Sequence, residues 1–125
     1  VGDEMRGGAI PKAFLALGRK PKSQGPRGMN KTEAEWSGML EARRVAGELL
    51  FWAFEPIKVR LADRTWYEPD FLVVRSTGEL ELHEVKGAFV MDDARLKFKL
   101  VAEHFPAALV WAQKMKGGAW KVETS

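Results

Sequence analysis

The 125-residue chain contains no cysteine, which excludes a disulfide framework, a thiolate zinc site, an iron–sulfur cluster and a cysteine nucleophile. Long apolar runs are missing too. The longest, Leu49–Phe54 and Ala107–Ala112, fall far short of the ~20 residues that cross a bilayer. The apolar patch Ala13–Leu17 lies between basic residues and lacks a proper hydrophobic region and cleavage site, which argues against a secretory signal. There is no Walker loop and no dinucleotide-binding glycine fingerprint, and His83-Glu84 does not continue into the zinc-protease helix motif, because position 87 is Gly87. What is present is the balance of a globular domain, 46% hydrophobic and 30% charged residues. A chain of this length buries roughly two thirds of its unfolded surface, so one domain needs no covalent staple.

Charge is unevenly placed. The net value is +3, but residues 1–31 carry seven basic and two acidic side chains, leaving the remainder slightly acidic. A basic arm on such a body fits a nucleic-acid partner, because Lys and Arg displace the counterions condensed on phosphates; a solvated tail is the plainer alternative. The first 28 residues also hold six of the twelve glycines and three of the six prolines, so residues 1–28 are expected to form a flexible arm and the folded domain to begin near Met29.

Thr32-Glu-Ala-Glu35 matches a capping box and predicts a helix to about Leu50, with Trp36, Met39, Leu40, Ala46, Leu49 and Leu50 as its apolar stripe. After Pro56 the spacing turns strand-like: Ile57–Leu61, a turn at Asp63-Arg64, then the β-branched run Asp70–Arg75. Ser76-Thr77-Gly78 makes a three-residue hairpin loop and Glu79–Lys86 the returning strand. Asp92 or Asp93 opens a second helix ending at Pro106. A buried strand at Ala108–Ala112, a Gly117-Gly118 turn and a short strand around Trp120–Val122 close the chain.

The hairpin carries the chemistry. With that loop, Arg75 faces Glu79, and counting back along both strands puts Asp70 opposite Glu84. Alternation then gathers Asp70, Leu72, Val74, Leu80, Leu82, Glu84 and Lys86 on one face. Two carboxylates opposed across a sheet repel unless one is protonated or a cation lies between them. Oxygen ligands select a hard ion, Mg²⁺ or Mn²⁺. With Lys86 beside it to neutralise developing charge or orient water, such a pair suits phosphodiester hydrolysis. The competing account makes Asp70–Lys86 a strand-end ion pair and Glu84 a solvated edge residue.

These residues resemble the PD-(D/E)XK nuclease superfamily, in the pattern Glu68-Pro69-Asp70 followed by Glu84-Val85-Lys86. Within it they are most similar to the phage endonuclease I type, which resolves Holliday junctions. Four segments carry the likeness: Ser37-Gly-Met-Leu-Glu41, Tyr67-Glu-Pro-Asp-Phe-Leu72, Glu84-Val-Lys-Gly87, and Asp92-Asp-Ala-Arg95 leading to Glu103-His-Phe-Pro106. The resemblance implies an α/β, restriction-endonuclease-like αβββαβ core with a mixed sheet flanked by helices, acting as a Mg²⁺-dependent DNA endonuclease on branched DNA. It implies Asp70 and Glu84 as metal ligands, Lys86 as the group assisting the nucleophile, and Glu41 as a further acidic residue from the first helix; helix geometry alone puts Glu41 at the border of the apolar face and leaves Glu35, already given a capping role, and Glu48 as competitors. It also implies a homodimer in the cytoplasm of a bacterial or phage-infected cell. Arg43, Arg44, Arg95, Lys97 and Lys99 are the candidate DNA contacts, a solvated helix face being the alternative. From another class, a non-catalytic DNA-binding subunit with structural carboxylates fits the same residues.

Overall fold

The computed structural model describes residues 28–90 and 92–125; the expected arm therefore lies, Gly28 apart, outside the described residues. Helix α1 spans Lys31–Val45. It is followed by strands β1 (Leu49–Phe54), β2 (Val59–Ala62), β3 (Thr65–Tyr67), β4 (Phe71–Arg75) and β5 (Leu80–Lys86), then helix α2 (Asp92–His104) and strands β6 (Ala108–Lys114) and β7 (Trp120–Thr124). The molecule is a mixed α/β structure. Its five-stranded sheet has the order β1-β4-β5-β6-β7, with β5 and β6 parallel and the other neighbours antiparallel. Strands β2 and β3 form a separate two-stranded ribbon. Among the described residues, no helix is long and apolar enough to cross a membrane.

The start of α1 corrects the expected cap. Asn30, in extended conformation, is the N-cap: its side chain accepts from the Glu33 N–H at 2.8 Å, and Glu33 Oε1 accepts from the Asn30 N–H at 2.9 Å. Thr32 is therefore already inside the helix. The helix also stops earlier than its apolar stripe suggests. Gly47, at φ 87°, takes the left-handed position past the end, and the Gly47 and Glu48 N–H groups donate to the Arg44 and Arg43 carbonyls at 3.0 Å. This Schellman closure satisfies the last carbonyls and turns the chain away. Leu49 and Leu50 consequently begin β1 instead of ending a helix.

That change alters which strands make the sheet. The run expected at 57–61 becomes β2, paired only with β3, and β1 supplies the strand beside β4. The β2–β3 ribbon is an excursion between them, closed at its base by a 2.8 Å bond from the Glu55 N–H to the Asp70 carbonyl.

Alternation along the strands divides the core. Phe51, Leu72, Val74, Leu82, Leu109 and Trp111 pack with Phe98 and Val101 of α2. Phe71, Val73, Val85 and Ala112 pack with Trp36 and Leu40 of α1. The helices thus cover opposite faces of the sheet, and every residue of β4 or β5 belongs to one layer or the other by its parity.

Candidate active site

The hairpin register is the one expected from the loop. Phe71 pairs with His83, Leu72 with Leu82, Val73 with Glu81 and Val74 with Leu80, and Gly78, at φ 93°, donates back to the Arg75 carbonyl at 2.8 Å. Pro69 has no N–H to give a ladder, and the pairing begins one residue beyond Asp70. Asp70 nevertheless reaches β5 through its side chain: Oδ2 accepts from the Val85 N–H at 2.7 Å. Its backbone is held by Glu55 and its carboxylate by Val85, which leaves it little freedom.

Glu84 follows Leu82 on the α2 face and is buried, 7% exposed. The Tyr67 hydroxyl donates to Glu84 Oε1 at 2.8 Å, and Lys86 Nζ lies 2.9 Å from Oε2. Burial and the neighbouring Glu84 carboxylate push the Asp70 pKa well above the ordinary aspartate range, against the opposing Val85 N–H. Burial alone would lower the Lys86 pKa, but Glu84, Asp70 and Glu33 outweigh it and raise the value. Burial, then the charge of Glu84, also raises that of Tyr67, so its hydroxyl stays a donor. Tyr67, Glu84 and Lys86 open onto a cavity of about 210 Å³ that Trp66 and Lys97 also line.

The structure does not bring Glu41 to this pair. It belongs to α1, on the far side of the sheet, where its carboxylate accepts from Arg44 at 2.8 and 2.9 Å and from the Trp52 indole at 3.0 Å. These bonds, Arg44 first, hold its pKa down to about 2. Neither competitor takes its place: Glu35 engages Lys114 and Trp120, and Glu48 engages Arg43 at 3.1 Å. The helix carboxylate whose charge does reach Asp70 and Lys86 is Glu33, at the α1 N-terminus near the end of the sheet. Asn30-x-x-Glu33 is its sequence signal, hidden by the overlapping match that starts at Thr32. Tyr67 was equally missed, since nothing local links it to Glu84.

The expected DNA contacts separate. Lys97 lines the cavity. Arg43 and Arg44 are paired with Glu48 and Glu41 on α1. Arg95 is bonded to Glu123 at 2.6 Å with its guanidinium 4.6 Å from the Trp111 ring centre, and Lys99 lines another cavity with Arg95 and Glu123. His83 is buried in the α1 layer between Trp36 and Glu81, at 3.0 and 2.8 Å.

Among the described residues, no group of three or more His, Asp or Glu side chains converges as a metal cage. The donor set still fits one kind of ion. Mg²⁺ needs only one or two carboxylates, taking its remaining ligands from water and substrate phosphate, and Asp70 and Glu84, the pKa of the first raised by burial and then by the charge of the second, are a pair of that number. No protein-family model matches the chain, and neither a curated protein nor a solved structure does.

Proposed function

We propose that this chain is a divalent-cation-dependent DNA endonuclease of the PD-(D/E)XK type, with branched DNA as its favoured substrate. One observation carries the reading: at the end of a register-locked hairpin the Asp70 carboxylate is bonded to the Val85 N–H, one residue from Glu84 and within reach of its charge, while Glu84 bears Lys86 and the two share a cavity with Lys97. In support, the main sheet with its helices runs α1, β1, β4, β5, α2, β6, β7, which contains the αβββαβ order that the resemblance implies, with β7 added at the edge. Asp70 and Glu84 would hold Mg²⁺, which when bound supplies an acidified water and a counter-charge for the phosphate. Lys86, its pKa raised, remains an ammonium at neutral pH and acts as a cation toward the phosphate, not as a base. Tyr67 keeps Glu84 oriented by donating to Oε1. Lys97 positions the DNA backbone. A homodimer would bring two such sites to two opposed strands at once.

A second reading has its own observation: both Glu84 oxygens are already engaged, as a structural cluster in a non-catalytic DNA-binding subunit would be. Labelled four-way junction and linear duplex, incubated with Mg²⁺ or EDTA, separate the two. Metal-dependent cleavage that falls by 10²–10³ in Glu84→Ala and Lys86→Ala is expected for the enzyme. Binding without any metal-dependent cleavage would establish the subunit, and equal cleavage of both DNAs would remove the preference for branches.

A further inference from the structure

The five tryptophans are not equivalent. Trp36 and Trp111 are buried at 5% and 1% exposure. Trp52 and Trp120 donate their indole N–H to Glu41 and Glu35. Trp66 alone remains half exposed, at 50%, and among the described residues its indole has neither a hydrogen-bond partner nor an aromatic neighbour. Leaving the largest apolar side chain half in water forfeits the burial that a purely structural tryptophan gains.

Its position is nonetheless well defined. On β3 the side chains alternate, Trp66 outward and Tyr67 inward, and the Tyr67 hydroxyl is bonded to Glu84. The indole is thus carried by a strand whose next residue is tied to the carboxylate pair. Trp66 lines the same cavity as Glu84, Lys86 and Lys97. Around this one cavity the flat indole stands beside the ammonium groups of Lys86 and Lys97, set among the carboxylates of Glu68, Glu84 and Asp93; the ring offers a surface for a base, and the lysines, with a cation held by the carboxylates, would offer one for a phosphate. Inside an intact duplex the face of every base is covered by its neighbours, and uncovering it costs a few kcal/mol of stacking, so a base already out of the stack is the one favoured on the indole.

We infer that Trp66 is a stacking platform for an unpaired base adjoining the scissile phosphate, which makes DNA with a displaced nucleotide the substrate class of this site. The inference rests on the hydrolytic reading above and specifies its substrate. The test uses the full chain with two duplexes that differ only in whether one 2-aminopurine is paired or bulged. Affinity and 2-aminopurine fluorescence are measured in EDTA for wild type, Trp66→Ala and Trp66→Phe. In Trp66→Ala, binding of the bulged DNA should weaken about tenfold and that of the paired DNA less than about twofold. Trp66→Phe should recover most of the loss, and quenching of the bulged base should disappear in Trp66→Ala. Equal loss on both duplexes, or quenching that survives Trp66→Ala, overturns the inference. Cleavage by wild type in Mg²⁺ is scored separately: failure to cut either DNA refutes the hydrolytic reading and leaves the stacking result standing.

Discussion

Replacing Asp70 by Asn should make the protein more stable and, on the reading proposed, inactive. The carboxylate is partly buried beside Glu84. Opposed side chains on neighbouring strands lie ~5 Å apart, and two unit charges at that distance with an effective dielectric of ~20 repel by about 3 kcal/mol. Lys86 and the Val85 N–H return part of this, and an amide oxygen can still accept from Val85. A net gain of about 1–2 kcal/mol remains, roughly 5–10 °C in Tm for a domain of this size. The pH dependence has a definite sign. Burial first and Glu84 second raise the folded-state pKa of Asp70 above its unfolded value. Its neutral form therefore favours folding, a contribution complete below the unfolded value of ~3.9 and lost as pH rises through the folded one. Scanning calorimetry of wild type and Asp70→Asn should give nearly equal Tm values at the acid end and a more stable variant at pH 8. Mg²⁺ should then raise the wild type, by about 2.7 kcal/mol at a hundredfold excess over its Kd, and move Asp70→Asn less. A variant less stable at pH 8, or a gap independent of pH, would refute the charge-repulsion account. An equal Mg²⁺ response would refute the metal site alone.

Other expectations follow from single contacts. Tyr67→Phe removes the hydroxyl on Glu84 and should cost about 1–3 kcal/mol in urea unfolding, while cleavage falls because Glu84 loses its orientation. Leu82→Ala, at a fully buried position between the strands and α2, should cost about 2–5 kcal/mol by the same measurement. Gly47→Ala places a Cβ at φ 87° and should cost about 1–2 kcal/mol, although nothing lies within 4 Å of that Cβ; an unchanged midpoint would contradict the Schellman closure. For His83, the Trp36 indole donates to Nδ1, so Nε2 carries the proton toward Glu81. Burial lowers its pKa, with Glu81 opposing. Stability from the neutral ring is therefore complete above the unfolded value of ~6.5 and lost as pH falls through the folded one. NMR titration should show the ring neutral at pH values where an exposed histidine is charged; an Nδ1 proton at pH 7 would contradict this.

Local rules went far with this chain. The loop Ser76-Thr77-Gly78 sets the register, the register sets parity, and parity puts Asp70, Glu84 and Lys86 at one end of one sheet face, because each step involves neighbours along two adjacent strands. The end of α1 was also written locally, in Gly47, but the apolar stripe running past it to Leu50 pointed the other way. An apolar residue satisfies a helix stripe and a buried strand equally well, and only the closing hydrogen bonds decide between them.

What packing alone decided is which distant side chains meet that hairpin. Glu41 and Glu33 are two helical acids in one amphipathic segment, and their sequence positions say nothing about the layer on which α1 lies. Once α1 covers the Phe71–Val85 face, Glu41 is separated from Asp70 by the sheet itself, and only Glu33, at the helix tip, has its charge felt there. Tyr67 and Trp66 likewise reach the cavity because the β2–β3 ribbon folds over it. Backbone periodicity determines which way a side chain points, whereas long-range burial determines what stands in front of it.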